Sequence, residues 1–130
     1  MAGASFQIQV RHIQVAKKEV ADLLMETVGS SKAGVPQVQL LMKLAGKYST
    51  CRSKDDGGNL GWVEMGWNPE DPRKPRGGFR KLENKELHDI IGKALEKNEI
   101  EQGVVFGPVQ TKQGYHVVII SNEFKTNRIL

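Results

Sequence analysis

From Gln7 to Val15 (QIQVRHIQV) apolar and polar residues mostly alternate, which predicts a strand with Ile8, Val10 and His12 on one face. A histidine thus stands at a core-facing position. Beyond Lys17 the period lengthens: Val20, Leu23, Leu24 and Val28 recur at helical spacing until Gly29 and two serines end the segment, predicting an amphipathic helix. A turn through Lys32 to Val35 leads to Pro36, whose missing N–H costs nothing at a first helical position. Val38, Leu41, Ala45 and Tyr48 then continue a second amphipathic helix.

The pattern stops at Ser49. Residues Ser49 to Gly61 (STCRSKDDGGNLG) are polar and glycine-rich and predict an exposed loop, with Gly57, Gly58 and Gly61 setting its backbone. Gly66 to Phe79 has no period and reads as an irregular, proline- and glycine-punctuated excursion, an insertion rather than a linker. Asn84 can cap a third helix with a core face of Leu87, Ile90, Ile91, Ala94 and Leu95. Val104 to Gln110 and Tyr115 to Ser121 are β-branched-rich runs separated by four residues, Thr111 to Gly114, which predicts a hairpin. In its second strand His116, Val118 and Ile120 share a face. The order is strand, helix, helix, loop, helix, strand, strand, without internal repeats, and indicates one antiparallel α+β domain over residues 1–130, with its core at about 7–121 and an insertion at about 66–82.

Composition adds limits. A chain of 130 residues with 38% hydrophobic content can bury enough surface to fold without disulfides or a structural metal. Cys51 is the only cysteine, so no intrachain disulfide is possible, and a lone thiol points to a reducing compartment, cytoplasmic or nuclear. Met1 to Phe6 lacks the basic and apolar regions of a signal peptide, and no apolar run has membrane-spanning length, so no membrane role is expected. The formal net charge is +4, concentrated in Arg73, Lys74, Arg76, Arg80 and Lys81 of the excursion. Such a basic loop is usually solvated surface, although arginines beside Phe79 could contact phosphates of a nucleic acid.

On pattern alone, His12 and His116 are more often satisfied core histidines than catalytic groups. Two of them on core-facing strand positions, with one cysteine at the mouth of a glycine-rich loop, raise the expectation of a single polar cluster. A zinc site from Cys51, His12, His88 and His116 is disfavoured, because no paired-ligand motif exists and the ligands come from scattered elements. No metal or cofactor is expected.

Three separated motifs resemble the parvulin family of peptidyl-prolyl cis/trans isomerases: VRHIQV (Val10 to Val15), LAGKYSTCRSKDDGGNLGW (Leu44 to Trp62) and GPVQTKQGYHVVII (Gly107 to Ile120). Their order and spacing cover the chain from about Val10 to Ser121. The resemblance implies a four-stranded antiparallel sheet flanked by helices, and an active site of His12, Cys51, Thr111 and His116. It implies Leu60 in a proline pocket and Trp62 in a structural turn, and Gln113 of the hairpin is added to the substrate-facing set. Between Trp62 and Leu87 the chain departs from the family pattern G-W-x-x-G-x-M-x-x-x-F, being longer and lacking the methionine and phenylalanine at their offsets. Met65, Trp67, Phe79 and Leu87 are the candidates for the remaining pocket walls.

The expected activity is noncovalent rotation about X-Pro bonds of peptides or proteins by a monomer, with Cys51 a tuned polar group whose setting His12, His116 and Thr111 control. Two other classes compete. One is a noncatalytic module using the basic insertion on nucleic acid or an acidic protein; the other is a Cys51/His116 hydrolase.

Overall fold

Val117 to Ile120 is a run of four consecutive apolar residues, a pattern that leaves a strand no solvent face, and all four are fully buried. Both faces of the sheet are therefore covered. The computed structural model describes residues 5–65 and 82–126. Its elements are β1 (Ser5–Val15), α1 (Lys18–Gly29), α2 (Val35–Tyr48), a short 3₁₀ turn (Arg52–Asp56), β2 (Asn59–Met65), α3 (Lys85–Glu96), β3 (Phe106–Thr111) and β4 (Gly114–Thr126). The four strands form one sheet in the order β2-β1-β4-β3, with every neighbouring pair antiparallel. Among the described residues no helix is long and apolar enough to cross a membrane.

Strand alternation sorts the core into two layers. Ile8 and Val10 of β1 and Val118 and Ile120 of β4 pack with Leu87, Ile91 and Ala94 of α3. Ile13, Val15, Val117 and Ile119 turn the other way, onto Ala21, Leu24 and Val28 of α1 and Leu41 and Ala45 of α2. Each fully buried Leu or Ile contributes roughly 1.5–3 kcal/mol of transfer free energy, so neither layer is dispensable. His12 and His116 occupy the alternation positions that face α3.

The three helices arise where periodicity places them, and Asn84 caps α3 as expected, its side chain accepting from the Leu87 N–H. Four details differ from the sequence reading. The face of α2 is set by Gln37, Leu41 and Ala45, and Tyr48 is 52% exposed. Gln37 turns inward because both ends of its amide are used: Nε2 donates to the Ser31 carbonyl at 2.9 Å and Oε1 accepts from the Val105 N–H at 2.9 Å. The last residues of the expected loop, from Asn59, already belong to β2, whose pairing with β1 overrides their polar, glycine-containing sequence. Trp62 lies on this strand opposite Gln9 and is 39% exposed, not packed into a turn, because β2 is an edge strand with a neighbour on one side only. The hairpin loop is shorter than expected: Thr111 and Gly114 pair with each other, leaving Lys112 and Gln113 as the turn.

The loop between α2 and β2 is fixed to β1 at both ends. Thr50 N–H donates to the Gln14 carbonyl at 2.7 Å, and His12 N–H donates to the Gly58 carbonyl at 2.9 Å. Gly58 has φ +77°, and a Cβ there would sit 2.2 Å from the His12 carbonyl oxygen. Both the left-handed backbone and the close approach require glycine. Substituting Gly58→Ala is expected to destabilise the domain by at least ~2 kcal/mol, read as a lowered urea midpoint with an unchanged slope.

Candidate functional site

The residues that could carry chemistry converge because of strand register. His12 on β1 lies opposite Val118, while His116 on β4 lies opposite Gln14, so the two histidines are diagonal neighbours on one sheet face. Their rings stack with centroids 5.1 Å apart and planes 14° from parallel, and their Nδ1 atoms are 3.0 Å apart. On the next strand, β3, Val109 opposes His116, which sets Thr111 one diagonal further on. The Thr111 hydroxyl is 2.7 Å from His116 Nε2. Three adjacent strands thus hold Thr111, His116 and His12 in one line beneath α3, and all three are buried.

Burial keeps this line neutral. His12 is 3% exposed, and its pKa is lowered to about 3, first by loss of solvation and then by the charge that His116 would carry. His116 is lowered too, by burial, with Glu86 acting in the opposite direction. Two imidazoles that share a hydrogen bond inside an apolar layer cannot both be charged. One must donate through Nδ1 and the other accept. The remaining His12 nitrogen, Nε2, is buried and has no hydrogen-bond partner among the described residues.

Above His12 opens a cavity of about 300 Å³. The loop between α2 and β2 supplies one side through Cys51, Arg52 and Ser53, continued by Asn59 and Leu60 at the start of β2; β1 supplies His12 and Gln14. The opposite side comes from Leu82, Glu83, Asn84, Leu87 and, from the hairpin turn, Gln113. The cavity therefore has an apolar wall of Leu60, Leu82 and Leu87 beside a neutral polar floor.

Cys51 reaches the rim through Ser49. The buried Ser49 hydroxyl accepts from the backbone N–H groups of both Gln14 (3.0 Å) and Cys51 (3.3 Å), tying the loop entrance to β1 two residues past His12. Cys51 is half-buried, and its thiol makes no hydrogen bond among the described residues, so the histidine pair and Thr111 bond to one another and not to the thiol.

Of the residues chosen from sequence, the structure gathers His12, Cys51, Leu60, Leu87 and Gln113 around the cavity, with His116 and Thr111 behind His12. Met65 ends β2, and its side chain lies outside what the structure describes. Trp67, Phe79 and the basic cluster lie outside the described residues. Sequence reasoning missed Leu82, Gln14, Arg52, Ser53, Asn59 and Glu83, and took Asn84 for a cap alone. Leu82 had a local signal, being an apolar residue just ahead of a helix cap; the polar ones had none. Among the described residues no three His, Cys, Asp or Glu side chains gather as metal ligands.

A family model described as a PPIC-type PPIase domain, or rotamase, matches residues 8–122. The chain belongs to this family. Solved structures place the PPIC-type fold in several settings. A SurA-like chaperone of Campylobacter jejuni, from the pair PEB4 and Cj1289, is 24% identical with a TM-score of 0.63 over 91% of this chain and 39% of its own length. The peptidylprolyl isomerase PrsA of Bacillus cereus is 27% identical with a TM-score of 0.57, covering 91% of this chain and 35% of its own. This chain thus spans well under half the length of either. NmPin, the parvulin of Nitrosopumilus maritimus, is 23% identical with a TM-score of 0.55, over 94% of this chain and 99% of its own. A search of curated protein sequences finds no match. The PPIC-type domain of this chain accordingly has the four-stranded antiparallel sheet flanked by helices that the motifs implied.

Neutral buried histidines make stability depend on pH. Their folded pKa values lie below the unfolded value near 6.5, so the unfolded chain binds more protons at mildly acidic pH. Their contribution is complete above pH 6.5 and is lost as pH falls, for His12 toward about 3. Each histidine contributes a slope of up to about 1.4 kcal/mol per pH unit in that window. Urea midpoints measured from pH 7 to pH 4 are expected to fall, and His12→Gln is expected to flatten the dependence.

Proposed function

We propose that the domain catalyses cis/trans isomerisation of X-Pro peptide bonds without a covalent intermediate. The observation that carries the reading is the juxtaposition, in one cavity, of an apolar wall (Leu60, Leu82, Leu87) with a buried, neutral His12 that His116 and Thr111 back from behind. The family to which the chain belongs supports the same activity.

The chemistry asks little of a protein beyond differential solvation. Amide resonance places partial negative charge on oxygen and partial positive charge on nitrogen, and its loss on twisting underlies a barrier of about 18–20 kcal/mol. A pyrrolidine ring held against Leu60, Leu82 and Leu87 stays fixed while the preceding carbonyl turns. The wall excludes water that would otherwise favour the charge-separated planar form. A neutral floor is needed for the same reason, because a cation beside the carbonyl oxygen would stabilise the planar amide. Burial of His12 supplies that neutrality. Cys51, at the rim with no hydrogen bond among the described residues holding its thiol, acts as a polar contact for the substrate backbone and not as a nucleophile.

In a protease-free assay the domain is expected to accelerate exchange of an X-Pro peptide, and a rate equal to buffer would overturn the activity. Leu60→Ala removes part of the apolar wall while leaving the floor intact. It is expected to lower kcat/KM roughly tenfold, the equivalent of about 1.4 kcal/mol of lost burial in the transition state. Cys51→Ser is expected to keep activity within about tenfold of the parent, with no adduct by intact mass spectrometry; complete loss together with a trapped acyl adduct in the parent would replace the noncovalent mechanism.

A further inference from the structure

The cap of α3 and the histidine pair are joined by a chain of hydrogen bonds whose direction can be deduced. Asn84 Oδ1 accepts from the backbone N–H of Leu87 at 3.1 Å. A backbone N–H can only donate, so this contact identifies the oxygen end of the amide. The other end, Nδ2, therefore faces the Thr111 hydroxyl at 3.1 Å and Gln113 Oε1 at 3.2 Å, and donates to both. Thr111 Oγ1 also receives the Gln113 backbone N–H at 3.2 Å. A hydroxyl has two lone pairs and one hydrogen, and here both lone pairs are taken by groups that can only donate.

The one hydroxyl hydrogen of Thr111 is left for its third neighbour, His116 Nε2, at 2.7 Å. His116 then accepts at Nε2 and carries its proton on Nδ1. That proton is donated to His12 Nδ1 at 3.0 Å. His12 in turn carries its proton on Nε2, the buried nitrogen without a partner among the described residues, on a residue that lines the cavity. The neutrality of both rings, imposed by burial, removes the doubly protonated forms that would break this logic.

We propose that Asn84 is a positioning residue: by capping α3 with its oxygen and holding Thr111 with its nitrogen, it sets both histidine tautomers so that His12 holds its proton on the buried Nε2 instead of on Nδ1. The catalytic consequence rests on the isomerase reading. A prolyl nitrogen gains a localised lone pair only when its resonance is broken, so a relay whose N–H bonds all point from Thr111 toward His12 is matched electrostatically to the twisted state and not to the planar one. The tautomer assignment itself needs no activity.

Asn84→Asp separates the two roles of the side chain. Aspartate caps a helix as well as asparagine does, so α3 keeps its terminus. Its carboxylate can only accept, so the Thr111 hydrogen turns toward it and Thr111 then accepts from His116 Nε2–H. Every bond in the chain reverses, and His12 ends with its proton on Nδ1. Imidazole nitrogen shifts in long-range ¹⁵N–¹H spectra of histidine-labelled protein distinguish the two forms.

In the parent at pH 7.5, His116 is expected to carry Nδ1–H and His12 Nε2–H. In N84D both are expected to invert, with kcat for an X-Pro peptide lowered about tenfold or more and a thermal midpoint close to the parent's. Asn84→Ser, which caps but is too short to hold Thr111, is expected to give mixed tautomers and an intermediate rate. A parent His12 protonated at Nδ1, or parent-like tautomers in N84D, would overturn the relay. Inverted tautomers with an undiminished rate would overturn its role in catalysis. A parent with the expected tautomers but no isomerase activity would leave the relay standing and remove the functional reading.

Discussion

Everything at the site depends on the requirement that polar groups buried in an apolar layer satisfy one another. His12 and His116 sit where the sheet would otherwise place aliphatic side chains, between the β-strands and α3. Each imidazole has two nitrogens and little access to water, so the only low-cost arrangement is a hydrogen-bonded line. The line runs across three strands to Thr111 and leaves the sheet at Asn84. A helix cap, usually a local device, thereby becomes continuous with the floor of a cavity.

The same constraint explains why the polar floor can coexist with an apolar wall. Desolvation holds the imidazoles neutral, and a neutral floor is compatible with Leu60, Leu82 and Leu87 around it in a way that a charged one would not be. The loop that carries Cys51 and leads to Leu60 adds little packing of its own, its 3₁₀ turn having no buried residue. It is held by backbone bonds to β1 at Gln14 and His12 and by the Ser49 hydroxyl. Gly58 permits the closest of these approaches. Loop, strand and helix cap are thus positioned relative to one histidine, and the cavity is what remains between them.

Much of the fold was legible in the chain. Periods of two and of about three and a half identify β1, the three helices and the final hairpin, and three motifs identify the family. What escaped was set by neighbours instead of by local pattern. Asn59 to Gly61 look like loop and become strand because β1 offers them pairing partners. Tyr48 follows the apolar period of α2 yet is exposed, while Gln37 breaks the period and is buried, because two backbone groups from other segments use its amide. Among the pocket residues, Leu60 and Leu87 were found, whereas Leu82 and the polar lining were missed because a cavity wall has no periodicity of its own.

By itself the sequence determined which residues could meet: alternation places His12 and His116 at core-facing positions of their strands, a short hairpin loop keeps Thr111 near His116, and Asn84 can cap a helix. Only the tertiary structure decided how they meet. Register made the histidines diagonal neighbours at 3.0 Å, and the distance from a helix cap to a threonine hydroxyl set the direction of the bonds between them. The physical reason is that periodicity specifies faces, which are properties of one element, while hydrogen-bond direction depends on every donor and acceptor around a group, and those come from segments far apart in the chain.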